Sequence, residues 1–482
     1  LSSVMSGKNI MITISNWRGD RDASDKEIAL NSTSLELSLN SLTLSNSREI
    51  TVDSFETKEI KLEKVGTNLT LKEVFGNDVK VSKSSKDEIR PSIVRSNNGT
   101  LWVVWSLERN NGKHDVVIGK SSDDGATWDV WRLYKSGKYD TPNPVIAKDS
   151  EDNLYVFFEN HTSGAPFQIY KYEVYENSWV LYTYTGSLEW SDVYNISVAS
   201  YSNYIYLAFE YHNVDYGSTI GYLFTSDGGS SWSGEIWDMG SWSGHPSITI
   251  SIDSNPRVFI AFDYYIELLT LKSWSVVILN NSDLGNDNWT LHYFYANPFN
   301  HYLSYIEPSM YASGDNIYVV FRADYGNLSL FGWTHKDWDI GFISSADNGN
   351  TWENPEIIIS SSDDEEYPWV VANGQDVYIF YLNSTTHYPT THYICMVESH
   401  DGGNTWSDAV VVSDEGNGVD IYRTVSAIYS EGGLYVVWTD ERSGKGDIYF
   451  DKVPELQNII IVPLLVAFIV ILSRRKKKHE GK

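Results

Sequence analysis

An all-β fold, a seven-bladed β-propeller followed by a C-terminal transmembrane helix, is predicted by three observations: a strand-opening pattern that recurs seven times, an eight-residue turn that recurs four times, and an aromatic-rich composition. Aromatics make up 14% of the 482 residues, with 33 Tyr and 18 Trp, which suits strands and surfaces that stack on sugars. At 41% hydrophobic residues the chain can build a large core. Its single cysteine, Cys395, excludes an intramolecular disulfide and any cysteine-rich metal site. With 64 acidic residues against 36 basic and a net charge of −28, it is unsuited to neutralising phosphates, which argues against nucleic acid as a partner. Gly-rich phosphate loops and zinc-type histidine spacings are both missing, so neither a cofactor nor a metal is expected.

The repeat opens with a polar residue followed by an apolar strand: Arg90-Pro-Ser-Ile, Asn143-Pro-Val-Ile, Asn195-Ile-Ser-Val, His245-Pro-Ser-Ile, Glu307-Pro-Ser-Met, Tyr367-Pro-Trp-Val and Arg423-Thr-Val-Ser. A second, strongly apolar strand follows each opening: Leu101–Trp105, Leu154–Phe158, Ile205–Phe209, Val258–Phe262, Ile317–Phe321, Val377–Tyr381 and Leu434–Trp438. A unit of this size reads as a four-stranded blade. The seventh unit ends near Val453 with three strands. Residues before Arg90, around Val79–Ser82, read as a fourth strand and are expected to pair with Asp447–Lys452, closing the ring and removing two free sheet edges.

The turn reads Ser/Thr-x-Asp-x-Gly-x-Thr/Ser-Trp and contains Asp123, Asp227, Asp347 and Asp401. Asp and Gly suit a tight turn with a left-handed residue, beneath which the Trp can pack. This motif resembles the Asp-box, or bacterial neuraminidase repeat, of the sialidase-like superfamily of propellers. The resemblance implies that the four aspartates are structural and lie on the face away from the active site. Sialidases themselves have six blades, so a six-bladed ring is the alternative to seven.

By blade topology the opening residues form one ring on the funnel face. The ligand-binding expectation therefore falls on Arg90, Arg423, His245, Asn143 and Asn195, with Arg322, at the end of a second strand, as a further cation. Arg90 and Arg423 begin adjacent blades, and paired guanidinium groups suit a carboxylate. The sialidase resemblance implies a Tyr nucleophile, a Glu partner and an Asp acid. By residue type Tyr367, Glu307 and Asp115 would fill these places. The loop holding Asp115 recurs in blade seven as Thr439–Asp447, which favours a loop brace built on Arg109 or Arg442 instead. The segment from Arg322 to Asp339 reads as a long loop whose Tyr325, Phe331, Trp333 and Trp338 fold over the funnel.

Residues 1–65 read as a β-rich segment, part of a truncated domain, and 66–453 as the propeller. In residues 454–482 an apolar run, Ile459–Leu472, precedes Arg474, Arg475, Lys476, Lys477 and Lys478, which predicts a single span with the basic tail cytoplasmic and the propeller extracellular. The Pro454-Glu455-Leu456 start of this tail resembles the Pro-Glu-Phe type of archaeal surface-protein sorting signal, with Leu where Phe is usual. Nine Asn-x-Ser/Thr sequons fit a glycoprotein at the cell surface. The functional expectation is a non-catalytic surface propeller that binds glycan or protein through its funnel. A sialidase-like exo-glycoside hydrolase acting on acidic sugars is the alternative.

Overall fold

The computed structural model describes short strands within residues 1–77 and most of residues 78–454; outside it lie 137–142, 160–166, 174–177, 184–191, 214–216, 238–241, 253–255, 269–270, 283, 286–287, 330–331, 386–391, 415–424, 431–432 and 455–482. The chain divides into two compact units. The larger, Asn77–Glu431 with Tyr435–Asp451, is the ring of blades. The smaller contains a four-stranded sheet in the order Ser2–Ser6, Asn9–Thr13, Asn68–Leu71, Leu62–Val65, and a ribbon of Leu42–Leu44 with Arg48–Ile50. Much of the segment 1–65 expected to be β-rich and the expected membrane span lie outside the described residues. Among the described residues no helix is long and apolar enough to cross a membrane.

Seven four-stranded antiparallel sheets make the ring, which settles the count against six. In blade one the strands run Glu88–Arg95, Leu101–Glu108, His114–Ser121 and Asp129–Tyr134 from the inside out. The second strand of each blade lies between neighbouring sheets and is buried on both faces. This is why Leu101–Trp105 and its six counterparts are continuous apolar runs and not alternating ones.

Among the described residues, apolar cores fill the seams from blade one through blade six and the seam between blades seven and one. Trp105, Val103 and Leu101 of blade one meet Tyr435, Val437 and Phe450 of blade seven. Phe157 and Tyr155 of blade two meet Leu207 and Phe209 of blade three. The inner strands are also stitched by a serine two residues after the opening residue. Ser92, Ser197, Ser247 and Ser309 hydroxyl oxygens accept the backbone N–H of Ile146, Ile248, Met310 and Val370 in the following blade, at 2.9–3.3 Å.

The seventh blade closes with the N-terminal strand. Val79 and Lys80 pair with Phe450 and Tyr449, and the Val81 N–H donates to the Ile448 carbonyl at 2.8 Å. Buried Asp447 fixes this closure, accepting from Lys80 Nζ at 2.6 Å, Ser443 Oγ at 2.5 Å and Ser82 Oγ at 3.2 Å, with Lys445 beside it.

The four recurring turns share one geometry. In the first copy the Asp123 carboxylate accepts from Ser121 Oγ, the Thr127 N–H and Thr127 Oγ1 at 2.8, 2.9 and 2.5 Å, while Ser121 Oγ accepts the Gly125 N–H at 2.9 Å. Asp227, Asp347 and Asp401 repeat these bonds. Each turn Trp packs edge-on against an aromatic of the preceding blade: Trp128 on Phe450, Trp232 on Phe157, Trp352 on Phe259 and Trp406 on Phe342. Gly125, at φ 95°, lies against Phe450 so closely that a Cβ there would sit 2.0 Å from the ring. By strand register these turns are at the sheet end opposite the openings, since Ser121 pairs with Leu101 whereas Ile89 pairs with Ser106.

Candidate functional site

The opening residues do not begin their strands. In blades one, three, four, five and six the strand starts earlier and bulges at the opening residue. Two inner-strand residues then oppose one aromatic of the second strand: Trp105, Phe209, Phe262, Phe321 or Tyr381. Arg90, Asn143, Asn195, His245, Glu307 and Tyr367 all have left-handed backbones, with φ between 47° and 58°. None is glycine, and each such conformation costs of order 1–3 kcal/mol. Pro91, Pro246, Pro308 and Pro368 occupy the second bulge position, where no N–H is needed.

What holds the bulge is the preceding blade. The Arg90 N–H donates to Thr439 Oγ1 at 3.1 Å, the Asn143 N–H to Ser106 Oγ at 3.1 Å, the Asn195 N–H to Glu159 Oε1 at 2.9 Å and the Glu307 N–H to Asp263 Oδ2 at 3.0 Å. These acceptors occupy one repeat position, the residue immediately after the apolar second-strand run. Around the ring that position reads Ser106, Glu159, Glu210, Asp263, Arg322, Leu382 and Thr439.

A polar network follows from this arrangement. Arg90 donates to the Asn143 carboxamide oxygen, and Asn143 Nδ2 donates to Glu159 Oε1 at 2.7 Å. Asn195 Nδ2 donates to Glu210 Oε2 at 2.7 Å, and His212 Nε2 lies 2.6 Å from Glu210 Oε1. Burial raises the Glu210 carboxyl, but the bonds from His212 and Asn195 outweigh it and bring its pKa down to about 2. His245 Nδ1 is 2.8 Å from Asp263 Oδ2. Glu210 and Asp263 converge on Gly244, where a Cβ would meet their oxygens at 3.2 and 3.1 Å.

On the other side of the mouth Arg322 is enclosed. Its Nε is 3.3 Å from Glu307 Oε2 and its Nη1 2.6 Å from Glu366 Oε1. Its guanidinium carbon lies 4.2 Å from the Trp338 ring centre and 5.0 Å from that of Tyr367. Burial, with the Glu307 carboxylate adding to it, pushes the Tyr367 phenol up to about 12. Behind this group are two buried carboxyls: Asp339, which accepts from Tyr302 Oη at 2.7 Å, and Glu365, which accepts from Ser361 Oγ. Burial raises them to about 6 and about 7.

The segment expected as a loop from Arg322 to Asp339 is instead mostly strand, because Asn316–Ser329 and Gly332–Ser345 form one long hairpin. Its Tyr325, Trp333, Thr334 and Trp338 are residue types that favour strands, which suits a two-stranded ribbon better than an irregular loop. Trp333 and His335 both turn onto Asp324 there, at 3.2 and 2.7 Å.

The other sequence expectations fall as follows. Arg423 lies outside the described residues, so its approach to Arg90 has no geometry here. Asp115 is fully buried, 3.2 Å from both Arg109 Nε and Arg132 Nε, and accepts from the Ser136 N–H at 2.8 Å. In blade seven Arg442 instead binds Asp78 and Asp440, each at 2.5 Å. Glu159, Glu210, Asp263 and Glu366 were not singled out from the sequence; aligning the position after each apolar run exposes the first three. Among the described residues no group of His, Cys, Asp and Glu could hold a metal ion.

No protein-family model and no curated protein matches the chain. Among solved structures it is similar to a protein of unknown function from Dyadobacter fermentans DSM 18053, with 16% identity over 79% of this chain and 98% of the other and a TM-score of 0.47. It is also similar to an ulvan lyase, a polysaccharide lyase bound to -[GlcA(1-4)Rha3S]-, with 12% identity over 79% and 95% and a TM-score of 0.50. A third similar structure is Trypanosoma rangeli sialidase with the inhibitor DANA, at 12% identity and a TM-score of 0.41; the match covers 85% of this chain and 62% of that one. At these identities the likeness is one of fold.

Proposed function

We propose that the protein binds a glycan at the funnel mouth without cleaving it, and that this glycan is neutral. The carrying observation is the ring of strained bulges. A left-handed backbone recurs around the mouth and presents five kinds of polar side chain at six described positions: Arg90, Asn143, Asn195, His245, Glu307 and Tyr367. Bulges and left-handed residues concentrate where side chains must be aimed at a ligand. Amide, imidazole, carboxylate and phenol groups, with Trp338 stacked on Arg322 among them, suit a ligand with hydroxyls on its edge and C–H faces. The fold neighbour described as an ulvan lyase has a polysaccharide fragment, -[GlcA(1-4)Rha3S]-, as its ligand. That fragment is acidic, so it supports a glycan and not neutrality, which rests on the charge of the mouth.

The charge balance favours a neutral sugar. Among the described residues of the mouth, Glu159, Glu210, Asp263, Glu307 and Glu366 outnumber Arg90 and Arg322. Arg322 already carries two carboxylates and Arg90 a carboxamide. The hydrolase alternative requires Tyr367 to attack with Glu307 as its partner. Glu307 is instead engaged with Arg322, and a phenol shifted upward is a weaker nucleophile at neutral pH.

The test is calorimetric titration of the full chain with neutral oligosaccharides (gluco-, manno- and N-acetylglucosamine oligomers) and with sialyllactose, alongside an assay for released sugar. Binding of a neutral oligomer that weakens about tenfold in Tyr367→Ala, with no sugar released, is expected. Preferential binding of sialyllactose, or its cleavage, overturns the reading.

A further inference from the structure

Outside the mouth, blade four carries an exposed aromatic row. Its outer strand, Trp289–Phe294, alternates. His292 and Phe294 turn inward to Trp352, each with ring centres 6.0 Å away. Leu291, Tyr293 and, just beyond the strand, Tyr295 turn outward, with 39%, 42% and 56% of their surface exposed. Phe299, in the turn that follows, is 83% exposed. Four large apolar side chains within nine residues thus face solvent on an edge strand. No Asp, Glu, Lys or Arg occurs from Trp289 to Asn300, in a chain with 21% charged residues. A bare edge strand would normally be guarded by charge.

The row is ordered and runs toward the mouth end of the blade. The Tyr293 and Tyr295 rings are nearly parallel, 6° apart, with centres 5.9 Å apart. Tyr264 meets Tyr293 at 6.1 Å, ring edge to face. Tyr264 follows Asp263, whose carboxylate holds His245 and the Glu307 N–H at the mouth, but it points to the opposite face of the sheet, toward blade three, so it marks the height of the row and not a contact with the mouth. In a strand that begins at the turn end of the blade, Tyr295 comes last, nearest the funnel face.

We propose that Leu291, Tyr293, Tyr295 and Phe299 form a second subsite, on which a neutral polysaccharide chain lies while its leading sugar units occupy the mouth. This rests on the glycan reading above and extends it from an oligosaccharide to a polymer. Tyrosine suits the role because its ring offers an apolar face to a sugar ring and its hydroxyl remains wet. The ring spacing is close to the repeat of successive sugars in a chain. The missing charge disfavours a polyanion, which would need cations along its track, and the row's end at the mouth end of the blade favours a long ligand over a separate partner.

Native electrophoresis of the full chain through gels containing soluble neutral polymers (hydroxyethylcellulose, a mannan and a galactan) or polygalacturonate provides the test, with calorimetry on short oligosaccharides of the same sugars. The paired variant Tyr293→Ser with Tyr295→Ser, and separately Phe299→Ser, are compared with the wild type. Expected is retardation of the wild type by one neutral polymer. Its affinity falls tenfold or more in the paired variant and about threefold in Phe299→Ser, while affinity for the short oligosaccharide stays within twofold. The subsite is overturned, with the mouth reading intact, if short oligosaccharides bind but no neutral polymer retards the wild type, or if the variants bind polymer unchanged. Retardation by polygalacturonate alone overturns it as well. Self-association of the wild type that the paired variant abolishes assigns the row to a second copy of the chain and overturns it too. Absence of both polymer and oligosaccharide binding removes the mouth reading together with the subsite.

Discussion

The two ends of the blades repeat in opposite ways. At the turn end, sequence and side-chain bonds recur together: Asp123, Asp227, Asp347 and Asp401 accept the same bonds, and each Trp packs on the blade before it. At the mouth the backbone recurs while the side chain changes, from Arg90 to Asn143, Asn195, His245, Glu307 and Tyr367. The same residue types in the same contacts solve one packing problem, shared by the four blades that carry the turn. A shared backbone with divergent side chains answers a demand that differs around the ring, as an asymmetric ligand would impose.

If the turns exist to join blades, damage there should be structural and severe. Gly125→Ala meets both a left-handed φ and the Phe450 ring, so it should cost roughly 4 kcal/mol in denaturant unfolding, adding backbone strain to overpacking. A cost under about 1 kcal/mol would break the comparison at its strongest point. Ring closure comes next. Asp447→Ala leaves Lys80 and Lys445 without their buried partner and should cost roughly 3 kcal/mol; both lysines reach water, which keeps the loss at the low end for a broken buried pair.

A pH series sharpens the mouth side. Burial raises Glu365 from 4.5 to about 7, so the folded protein binds a proton there that the unfolded chain releases. This contribution is complete below about pH 4.5 and is lost as pH rises through about 7, with a slope of about 1 kcal/mol per pH unit. Glu365→Gln should lower the slope of stability against pH across that window, leaving the part that Asp339, raised to about 6, contributes, and an unchanged slope would place the titrating group elsewhere. The smallest effect is expected at Asp123→Ala, about 1 kcal/mol for a partly exposed turn that loses its acceptor. The bonds from Thr127 hold the Asp123 carboxyl below its ordinary range, so its contribution is present at neutral pH and is lost only as pH falls below about 4.

The blades were legible in the sequence because their signal is local. Second strands buried on both faces are continuous apolar runs, and turns that share one bond set share one motif. The missing fourth strand of blade seven was legible for the same reason, and Val79–Lys80 completes that blade. The openings were visible as polar residues, but their meaning was not. A bulge depends on pairing with a neighbouring strand, and its left-handed residue is held by an acceptor from another blade, 36 residues away along the chain at Asn195 and 44 at Glu307. Arg322 shows the same limit: the sequence marked it as a spare cation, whereas Glu307 and Glu366, from two different blades, enclose it. Ser92, Ser197, Ser247 and Ser309 recur in plain view, and only the geometry shows that they join one inner strand to the next.

Hydrogen exchange of the full chain, with and without a saturating neutral oligosaccharide, tests the division of labour most directly. Ligand should slow exchange in the mouth segments 88–92, 243–247, 302–310 and 364–370 and leave the turns 121–128, 225–232, 345–352 and 399–406 unchanged. Protection centred on those turns, or no protection at the mouth by a ligand that binds, would contradict the assignment of the mouth as the binding face.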